Sequence, residues 1–233
     1  MNGESNIIEI RDLSKVYSDG VEVRALDGID LDIKRGEFLS IIGPSGSGKS
    51  TLLHMIGILD TPTTGKITID GRVITEMSEK ERSRARNEIL GFVFQYHHLL
   101  PDFSALENVM MPLLISGKNK KDAQKVASGL LDDVGLGDRI DHRPNQLSGG
   151  QAQRVAVARA LANNPGIVIG DEPTGNLDTK SSDMIYELLR KLNRDKGQTF
   201  ILVTHDEKMA RKTDRIIRLV DGKIFEDNNY DRW

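Results

Sequence analysis

The loop at residues 43–50, with the sequence GPSGSGKS, constrains the fold of this 233-residue chain more than any other segment. It matches the pattern of a phosphate-binding loop, which joins a buried strand to a helix. The apolar residues 38–42 predict that strand, and residues 51–58 predict the helix. A glycine-rich turn without a ligand is the alternative interpretation, and the flanking pattern disfavours it.

This loop predicts a nucleotide site. Its glycines let successive backbone N–H groups converge on phosphate oxygens, and Lys49 neutralises the charge of the β- and γ-phosphates. Ser50 supplies a hydroxyl group for Mg²⁺. The residues predicted to hold the nucleotide here are Gly43, Pro44, Ser45, Gly46, Ser47, Gly48, Lys49, Ser50 and Thr51.

Strand-forming and helix-forming segments alternate along most of the chain. Residues 7–13, 21–26 and 29–33 are strand candidates separated by turn residues at 18–20 and 27–28, which predicts an antiparallel start. Short apolar strands then alternate with helices, as in an α/β core with parallel pairing. Residues 104–134 instead predict a small helical lobe, in which one helix face carries Ala123, Val126, Ala127, Leu130, Leu131 and Val134.

Two adjacent carboxylates follow the apolar segment 167–169, which predicts a buried strand. Asp171 and Glu172 therefore stand at the carboxyl end of a strand, where α/β sheets place their ligands. Because neighbouring side chains leave a strand in different directions, we expect them to have different roles. Asp171 is placed to bind the metal, and Glu172 to orient and polarise an attacking water. An ordinary acidic loop is the alternative, which the phosphate-binding loop upstream disfavours.

His205 and Gln95 each follow a further apolar strand candidate, at residues 200–203 and 91–94. His205 could donate a hydrogen bond to a γ-phosphate. Taken alone, each side chain fits a structural or solvated role equally well. They gain meaning only from the whole set of motifs.

A second phosphate-binding surface is predicted at residues 147–151, which read LSGGQ. A serine and two glycines at the start of a helix offer a hydroxyl group and open backbone N–H groups at the positive end of the helix dipole. One nucleotide needs only one such surface. The residues predicted to contact nucleotide at this second surface are Ser148, Gly149, Gly150 and Gln151.

Composition argues against several classes of partner. The net charge of -3, from 32 Lys and Arg against 35 Asp and Glu, gives no overall basic field for nucleic acid, so we expect no nucleic-acid partner. The chain has no cysteine, which rules out disulfides and thiolate metal sites. Neither a signal peptide nor an apolar stretch of membrane-spanning length is present. We therefore expect a cytoplasmic protein, for which any membrane role would come through a partner.

Together and in this order, these motifs resemble those of ABC-type ATPase subunits over essentially the whole chain. The counterparts are Tyr17, residues 43–50, Gln95, residues 147–151, residues 167–172, Asp178 and His205. The resemblance implies an α/β P-loop NTPase core with an N-terminal antiparallel β-subdomain and an inserted α-helical subdomain. It implies one domain over residues 1–233, with the core at about 1–95 and 163–233 and the helical subdomain at about 96–162.

The resemblance also implies individual roles. Tyr17 would stack on adenine, although an aromatic residue on an edge strand is the alternative interpretation. Gln95 would contact the metal and the coupling interface, and Asp178 would reach a second subunit. The catalytic residues would be Lys49, Gln95, Glu172 and His205, and the metal ligands Ser50, Gln95 and Asp171, with ATP and Mg²⁺ as cofactors.

A narrower resemblance links the chain to the ATPases of lipoprotein-release, macrolide-export and cell-division systems, the LolD, MacB and FtsE type. It is carried by LDTPTTG at residues 59–65, ALENV at 105–109 and DEPTGNLD at 171–178. In that group the ATPase pairs with a membrane protein that has a large extracytoplasmic domain. We therefore expect a permease partner of the MacB, LolC/E or FtsX type and a peripheral position on the cytoplasmic face of the membrane.

The family resemblance further implies a head-to-tail dimer, in which Ser148 and Gly150 of one copy close over the ATP held by Lys49 of the other. Two Mg-ATP would be buried in one interface, and hydrolysis would open it to drive export or lipoprotein release. A soluble ABC-type ATPase acting on nucleic acid or ribosomes is the alternative. A module that binds nucleotide without hydrolysing it is a third interpretation, which Glu172 and His205 oppose.

Overall fold

The computed structural model describes residues 5–229 and contains ten strands and seven α-helices within them. The strands are β1 (Asn6–Asp19), β2 (Val21–Lys34), β3 (Phe38–Ile42), β4 (Thr64–Ile69), β5 (Arg72–Val73), β6 (Leu90–Phe94), β7 (Ile167–Asp171), β8 (Thr199–Val203), β9 (Arg215–Val220) and β10 (Lys223–Asn229). The helices are α1 (Lys49–Ile56), α2 (Glu79–Ile89), α3 (Ala105–Ile115), α4 (Lys120–Asp133), α5 (Gly149–Ala160), α6 (Thr179–Lys196) and α7 (Glu207–Ala210).

The N-terminal strands form an antiparallel sheet, as the sequence predicts, and its strand order is β2-β1-β4-β5. One predicted turn, at residues 27–28, is wrong. These residues lie within β2, where Gly28 has a φ of 65° and its N–H donates a 2.9 Å hydrogen bond to Ser14 Oγ. The register of β1 and β2 shifts there, from Leu13 opposite Ile29 to Lys15 opposite Leu26. A turn-forming pair of residues therefore makes a bulge in a continuous strand.

The larger sheet has the order β10-β9-β3-β8-β7-β6. Its strands from β9 to β6 are parallel, and only β10 pairs antiparallel. The carboxyl ends of parallel strands meet at one edge of a sheet. The segments that follow β3, β6, β7 and β8 therefore start side by side, and they begin at Gly43, Gln95, Glu172 and Thr204.

Two hydrophobic cores lie on the two faces of this sheet. On β3, Phe38 packs in the core that includes α3 to α6, whereas Leu39 and Ile41 pack in the core shared with α1 and the N-terminal sheet. Phe38 meets Phe200 of β8 edge to face, with ring centroids 5.7 Å apart. The central strands are thus buried on both sides, which fixes their carboxyl ends as a rigid base for the loops.

Helices α3, α4 and α5 pack against one another through their apolar faces. On α4 the face predicted from the sequence is confirmed, because Ala123, Ala127, Leu130 and Leu131 are buried. Ser104 caps α3 in a capping box. Its hydroxyl accepts from the N–H of Glu107, and its own N–H donates to the Glu107 side chain. The α/β fold class is confirmed. Among residues 5–229, no helix combines the length and the apolar character needed to cross a bilayer.

Candidate active site

The loop between β3 and α1 takes a shape that requires glycine at two positions. Gly43 has a φ of 153° and Gly48 a φ of 99°. A Cβ at Gly43 would lie 2.2 Å from the Leu219 carbonyl oxygen, and a Cβ at Gly48 would lie 2.5 Å from that of Ala25. At Gly46 a Cβ would meet nothing within 4 Å. The loop is therefore packed from behind and open in front, as a cradle for phosphate must be.

Lys49 begins α1 and turns back over this loop. Its Nζ donates 2.8 Å hydrogen bonds to the carbonyl oxygens of Gly43 and Pro44. An ammonium group has three donors, so one remains for an anion. Ser47, in the same loop, is 2% exposed, and its hydroxyl has no hydrogen-bond partner within residues 5–229. An unsatisfied hydroxyl and a free ammonium donor both suit a bound polyanion.

Tyr17 on β1 lies beside the start of α1. Its hydroxyl donates a 3.1 Å hydrogen bond to Asp60 Oδ2, and Lys15 Nζ stands 4.8 Å from the ring centroid. Partial burial and the hydrogen bond to Asp60 raise the pKa of the Tyr17 hydroxyl, so it stays a neutral donor. The hydroxyl also lies near Thr51. The ring is thus fixed in orientation but remains 39% exposed.

Asp171 and Glu172 leave the end of β7 in different directions. Asp171 is half-buried; burial raises the pKa of its carboxyl group, and the charge of Glu172 raises it further. Lys49 and His54 act in the opposite direction. A divalent cation beside Asp171 would offset its desolvation. The carboxylate is thus suited to a metal ion. Ser50, the other residue predicted there, is the second residue of α1.

Glu172 adopts a left-handed backbone, with a φ of 46°. Its N–H donates to the Val203 carbonyl at 2.9 Å, which ties the end of β7 to the end of β8. The carboxylate accepts three hydrogen bonds from residues after β8. Oε1 accepts from the backbone N–H of His205 at 2.9 Å and from His205 Nδ1 at 2.7 Å, and Oε2 accepts from Thr204 Oγ1 at 3.2 Å.

The contact with Glu172 sets the orientation of the His205 ring. A carboxylate oxygen only accepts hydrogen bonds, so Nδ1 carries a proton in this contact. The opposite nitrogen, Nε2, is left to meet a ligand, and the His205 side chain is 74% exposed. Sequence analysis named Glu172 and His205 separately and missed Thr204. Thr204 carries no motif signal, because its role depends on β7 and β8 being neighbours.

Gln95 is held by a residue that sequence analysis also missed. Gln95 Nε2 donates to Asn176 Oδ1 at 3.1 Å, and Asn176 Nδ2 donates to the Gln95 carbonyl at 3.3 Å. A Cβ at the neighbouring Gly175 would lie 2.9 Å from Gln95 Nε2. The loop after β6 is thus fastened to the loop after β7. Asn176 lies within the segment DEPTGNLD, where it could have been singled out.

The LSGGQ segment forms the start of α5. Ser148 is the N-cap, whose hydroxyl accepts from the N–H of Gln151, and the Gln151 side chain accepts from the Ser148 N–H at 2.8 Å. Across residues 5–229, neither side chain has a hydrogen bond to the loop at 43–50. Cβ atoms at Gly149 and Gly150 would lie 3.4 Å from Leu177 and 3.3 Å from Ser181. The segment therefore packs beside the start of α6.

Asp178 caps α6 directly beside the LSGGQ segment. Its carboxylate accepts from the Ser181 N–H at 2.9 Å and from the Ser181 hydroxyl at 2.7 Å. These hydrogen bonds lower the pKa of Asp178. In one chain, the structure thus brings together Lys49, Gln95, Asp171, Glu172 and His205, and it groups Asp178 with residues 148–151 instead.

Comparison with known proteins gives a consistent result. The family model for the ABC transporter matches residues 26–175. A lipoprotein-releasing system ATP-binding protein LolD of Xanthomonas oryzae pv. oryzae is 52% identical over 221 residues, covering 94% of this chain and 91% of that protein. A LolD of Shewanella frigidimarina is 50% identical over 217 residues, covering 93% and 91%.

Solved structures match over nearly the whole chain. The ATP-binding cassette MJ0796, in a dimeric post-hydrolysis state bound to ADP and Pi, is 43% identical with a TM-score of 0.88, covering 97% of this chain and 100% of that one. The cbiO1 protein from Clostridium perfringens is 32% identical with a TM-score of 0.88, covering 97% and 89%.

The cradle at residues 43–50, the paired carboxylates and the capped LSGGQ helix therefore occur in a chain that resembles an ATP-binding cassette over nearly its whole length. We conclude that this chain belongs to the ABC transporter family and is an ATP-binding subunit that hydrolyses ATP.

Proposed function

We propose that the chain is the ATPase of a lipoprotein-releasing ABC transporter and works as a head-to-tail dimer around two Mg-ATP. One observation carries this proposal. The groups suited to phosphate, metal and water gather at one edge of the central sheet, while Ser148 and Gln151 of the same chain hydrogen-bond to each other and not to that site. The relatives named LolD and the dimeric cassette MJ0796 support it.

The chain's own residues would hold the nucleotide in a fixed order. The exposed ring of Tyr17 offers a stacking surface for adenine, held by Asp60 and Lys15. Backbone N–H groups of the loop at 43–50 and the free donor of Lys49 take the phosphates. The side chain of Thr51, the third residue of α1, lies beside the Tyr17 hydroxyl group.

Ser50, Asp171 and Gln95 would hold Mg²⁺. Their hydroxyl, carboxylate and amide oxygens are hard donors of the kind that Mg²⁺ prefers. Among residues 5–229, no three His, Cys, Asp or Glu side chains form a metal site of their own, so phosphate oxygens would complete the coordination. When bound, the ion would supply positive charge that offsets the negative charge developing on the phosphates.

Glu172 and His205 would act on the water and the γ-phosphate. Hydrogen bonds from His205 and Thr204 fix the Glu172 carboxylate, so it can orient a water for in-line attack. His205 presents Nε2 outward, toward the position of a terminal phosphate. Thr204 restrains the second carboxylate oxygen and so limits the rotation of Glu172.

A second copy would complete each site. The Ser148 hydroxyl and the N–H groups at the start of α5 stand at the positive end of a helix dipole, which favours an anion. Because Ser148 and Gln151 of one chain hydrogen-bond to each other and not to the loop at 43–50, we assign these groups to the partner's γ-phosphate. Asp178, next to them on α6, would lie in the same interface. Hydrolysis then removes the group that both copies hold, and the interface opens.

A groove between α2, β6, α3 and α5 supports the assignment of a membrane partner. Its volume is about 490 Å³. Apolar side chains of Phe92, Phe94, Leu100 and Met111 line it, and Ile115, which is 69% exposed, stands at its rim. We refer to it as the α2–α3 groove and propose that the permease subunit docks there. The chain would then be a peripheral protein on the cytoplasmic face of the membrane.

The Glu172→Gln variant tests the dimer. Without a carboxylate to orient water, turnover should fall by several orders of magnitude, while the residues that hold ATP are untouched. We expect size-exclusion chromatography of this variant to show a dimer with ATP and a monomer with ADP. Adding Lys49→Ala to the same chain should abolish the dimer, because ATP is no longer held.

A matched control is Glu207→Gln, a nearby exposed glutamate that pairs with Arg218. This variant should keep normal turnover and show no stable ATP-dependent dimer. If Glu172→Gln binds ATP and stays monomeric at every protein concentration, the shared-site proposal is wrong. Retention of normal turnover by Glu172→Gln would refute the role of the carboxylate.

A further inference from the structure

Gln153 is a buried polar side chain on α5 to which the proposed chemistry assigns no role. Only 1% of its surface is exposed. Its Nε2 donates a 3.0 Å hydrogen bond to the Phe94 carbonyl and a 2.7 Å hydrogen bond to the Pro173 carbonyl. Carbonyl oxygens only accept, so the amide nitrogen must face both of them. Both of its N–H donors are therefore engaged.

These two carbonyls flank residues of the site. Phe94 ends β6 and is followed by Gln95, and Pro173 comes directly after Glu172. Phe94 is paired with Asp171 in the sheet, so β6 and β7 end at the same level of the sheet. One amide group thus joins α5 to the two strand ends that carry Gln95 and Glu172.

The same helix begins with the LSGGQ segment. Gln153 lies five residues after the cap Ser148, which is little more than one helical turn. Arg159, farther along α5, donates two 2.7 Å hydrogen bonds to the carbonyls of His97 and His98. Residues 94–98 are therefore fastened to α5 at two places along the helix. Because a short helix is stiff, its start cannot move without moving these contacts.

We propose that Gln153 is a positioning residue that holds the LSGGQ segment at a fixed place relative to Gln95 and Glu172 of its own chain. This inference rests on the proposed dimer, in which that segment serves the partner's ATP and Glu172 serves the chain's own ATP. Gln153 then links the two nucleotide sites of the dimer. Gln153 does not contact the nucleotide in this proposal. Its amide group hydrogen-bonds to two backbone carbonyls and so fixes α5 against the strand ends.

The test is ATP-dependent dimerisation in the Glu172→Gln background. Size-exclusion chromatography at increasing ATP concentrations measures the fraction of dimer. Gln153→Met keeps the size of the side chain and removes both donors. Because it removes the hydrogen bonds to both carbonyls, we expect the ATP concentration for half-maximal dimer to rise about tenfold. Nucleotide affinity of the monomer, measured with a fluorescent ATP analogue at protein concentrations below dimerisation, should not change.

Gln198→Met is the matched control. Gln198 is 5% exposed, and its Nε2 donates a 2.9 Å hydrogen bond to the Pro165 carbonyl. It lies at the opposite end of β7, away from the site. Gln198→Met should lower the melting temperature as Gln153→Met does, yet dimerise at the same ATP concentration as the parent. If Gln153→Met folds poorly, Gln153→Asn replaces it, since one methylene less prevents the amide from reaching both carbonyls.

Two results would overturn the inference. One is an unchanged ATP requirement in a folded Gln153 variant. The other is an equal rise in Gln198→Met, which would show that lost stability alone weakens the dimer. A parent Glu172→Gln protein that stays monomeric with ATP would refute the dimer itself and this inference with it. If the parent Glu172→Gln protein dimerises with ATP, a negative result in the Gln153 variant therefore contradicts only the role of Gln153 and not the dimer.

Discussion

Gly91→Ala and Gly129→Ala, the same chemical change at two sites, are expected to shift stability in opposite directions. Gly91 lies in β6 where this strand passes beneath the end of α5. A Cβ at Gly91 would lie 2.2 Å from the Ala160 carbonyl oxygen and 2.9 Å from its carbon. These are backbone atoms, which no rotamer change can move aside. The end of α5 must therefore shift by about 1 Å to admit one methyl group.

The structure sets the size of the effect. Overpacking a core costs about 1–3 kcal/mol, and backbone neighbours place Gly91→Ala at the upper end, at about 3 kcal/mol. In a domain of this length, that lowers the melting temperature by roughly 6–12 °C. Gly129 lies within α4, where a Cβ would meet nothing within 4 Å. Gly129→Ala should therefore raise the free energy of unfolding by about 0.5–1 kcal/mol, because alanine loses less entropy in a helix.

Urea denaturation followed by circular dichroism measures both changes, and ATP turnover is measured on the same samples. Because α5 carries the LSGGQ segment, Gly91→Ala should also reduce turnover at temperatures where the protein is folded. Gly129→Ala should leave turnover unchanged. Equal midpoints for Gly91→Ala and the parent protein would refute the tight packing of β6 against α5.

Two further predictions concern the α2–α3 groove and acid stability. Ile115→Asp should move the chain from the membrane fraction to the soluble fraction of cells that contain its permease. Phe225→Asp, at an equally exposed site outside the groove, should not. If the two variants distribute equally between the fractions, the groove is not the docking site. Burial, together with the charges of Arg159 and His98, lowers the pKa of His97 in the fold. The unfolded chain therefore binds the proton more tightly, and stability is complete above about pH 6.5 and falls below it. Urea midpoints at about pH 7.5 and 5.5 should differ less in His97→Gln than in the parent, and an equal difference would contradict this reasoning.

Segments with a strong local pattern were predictable from the sequence. The loop at 43–50 needs glycine at positions that no other residue can occupy, and the apolar runs that became β3, β7 and β8 are too short for helices. The start of α5 was also predictable, because Ser148 and Gln151 form a capping box that depends only on residues three apart. Local chemistry decided these elements, so local sequence was enough.

Contacts between distant segments could not be predicted in the same way. The hydrogen bonds of Glu172 to Thr204 and His205 depend on β7 pairing with β8 and on a left-handed backbone at Glu172. Gln153 is one more polar residue in a helix until its place beneath two strand ends is known. The turn expected at residues 27–28 failed for a related reason. The long pairing of β2 with β1 outweighed the local preference and converted it into a bulge.

The left-handed backbone at Glu172 has a consequence for how this protein can be improved. A glutamate in that conformation is strained, whereas glycine or asparagine would adopt it at less cost. Selection for thermal stability alone would thus favour the loss of the carboxylate that the reaction needs. At this one position the demands of folding and of turnover conflict. Screens for variants of higher thermal stability must therefore also measure ATPase activity if the carboxylate is to be retained.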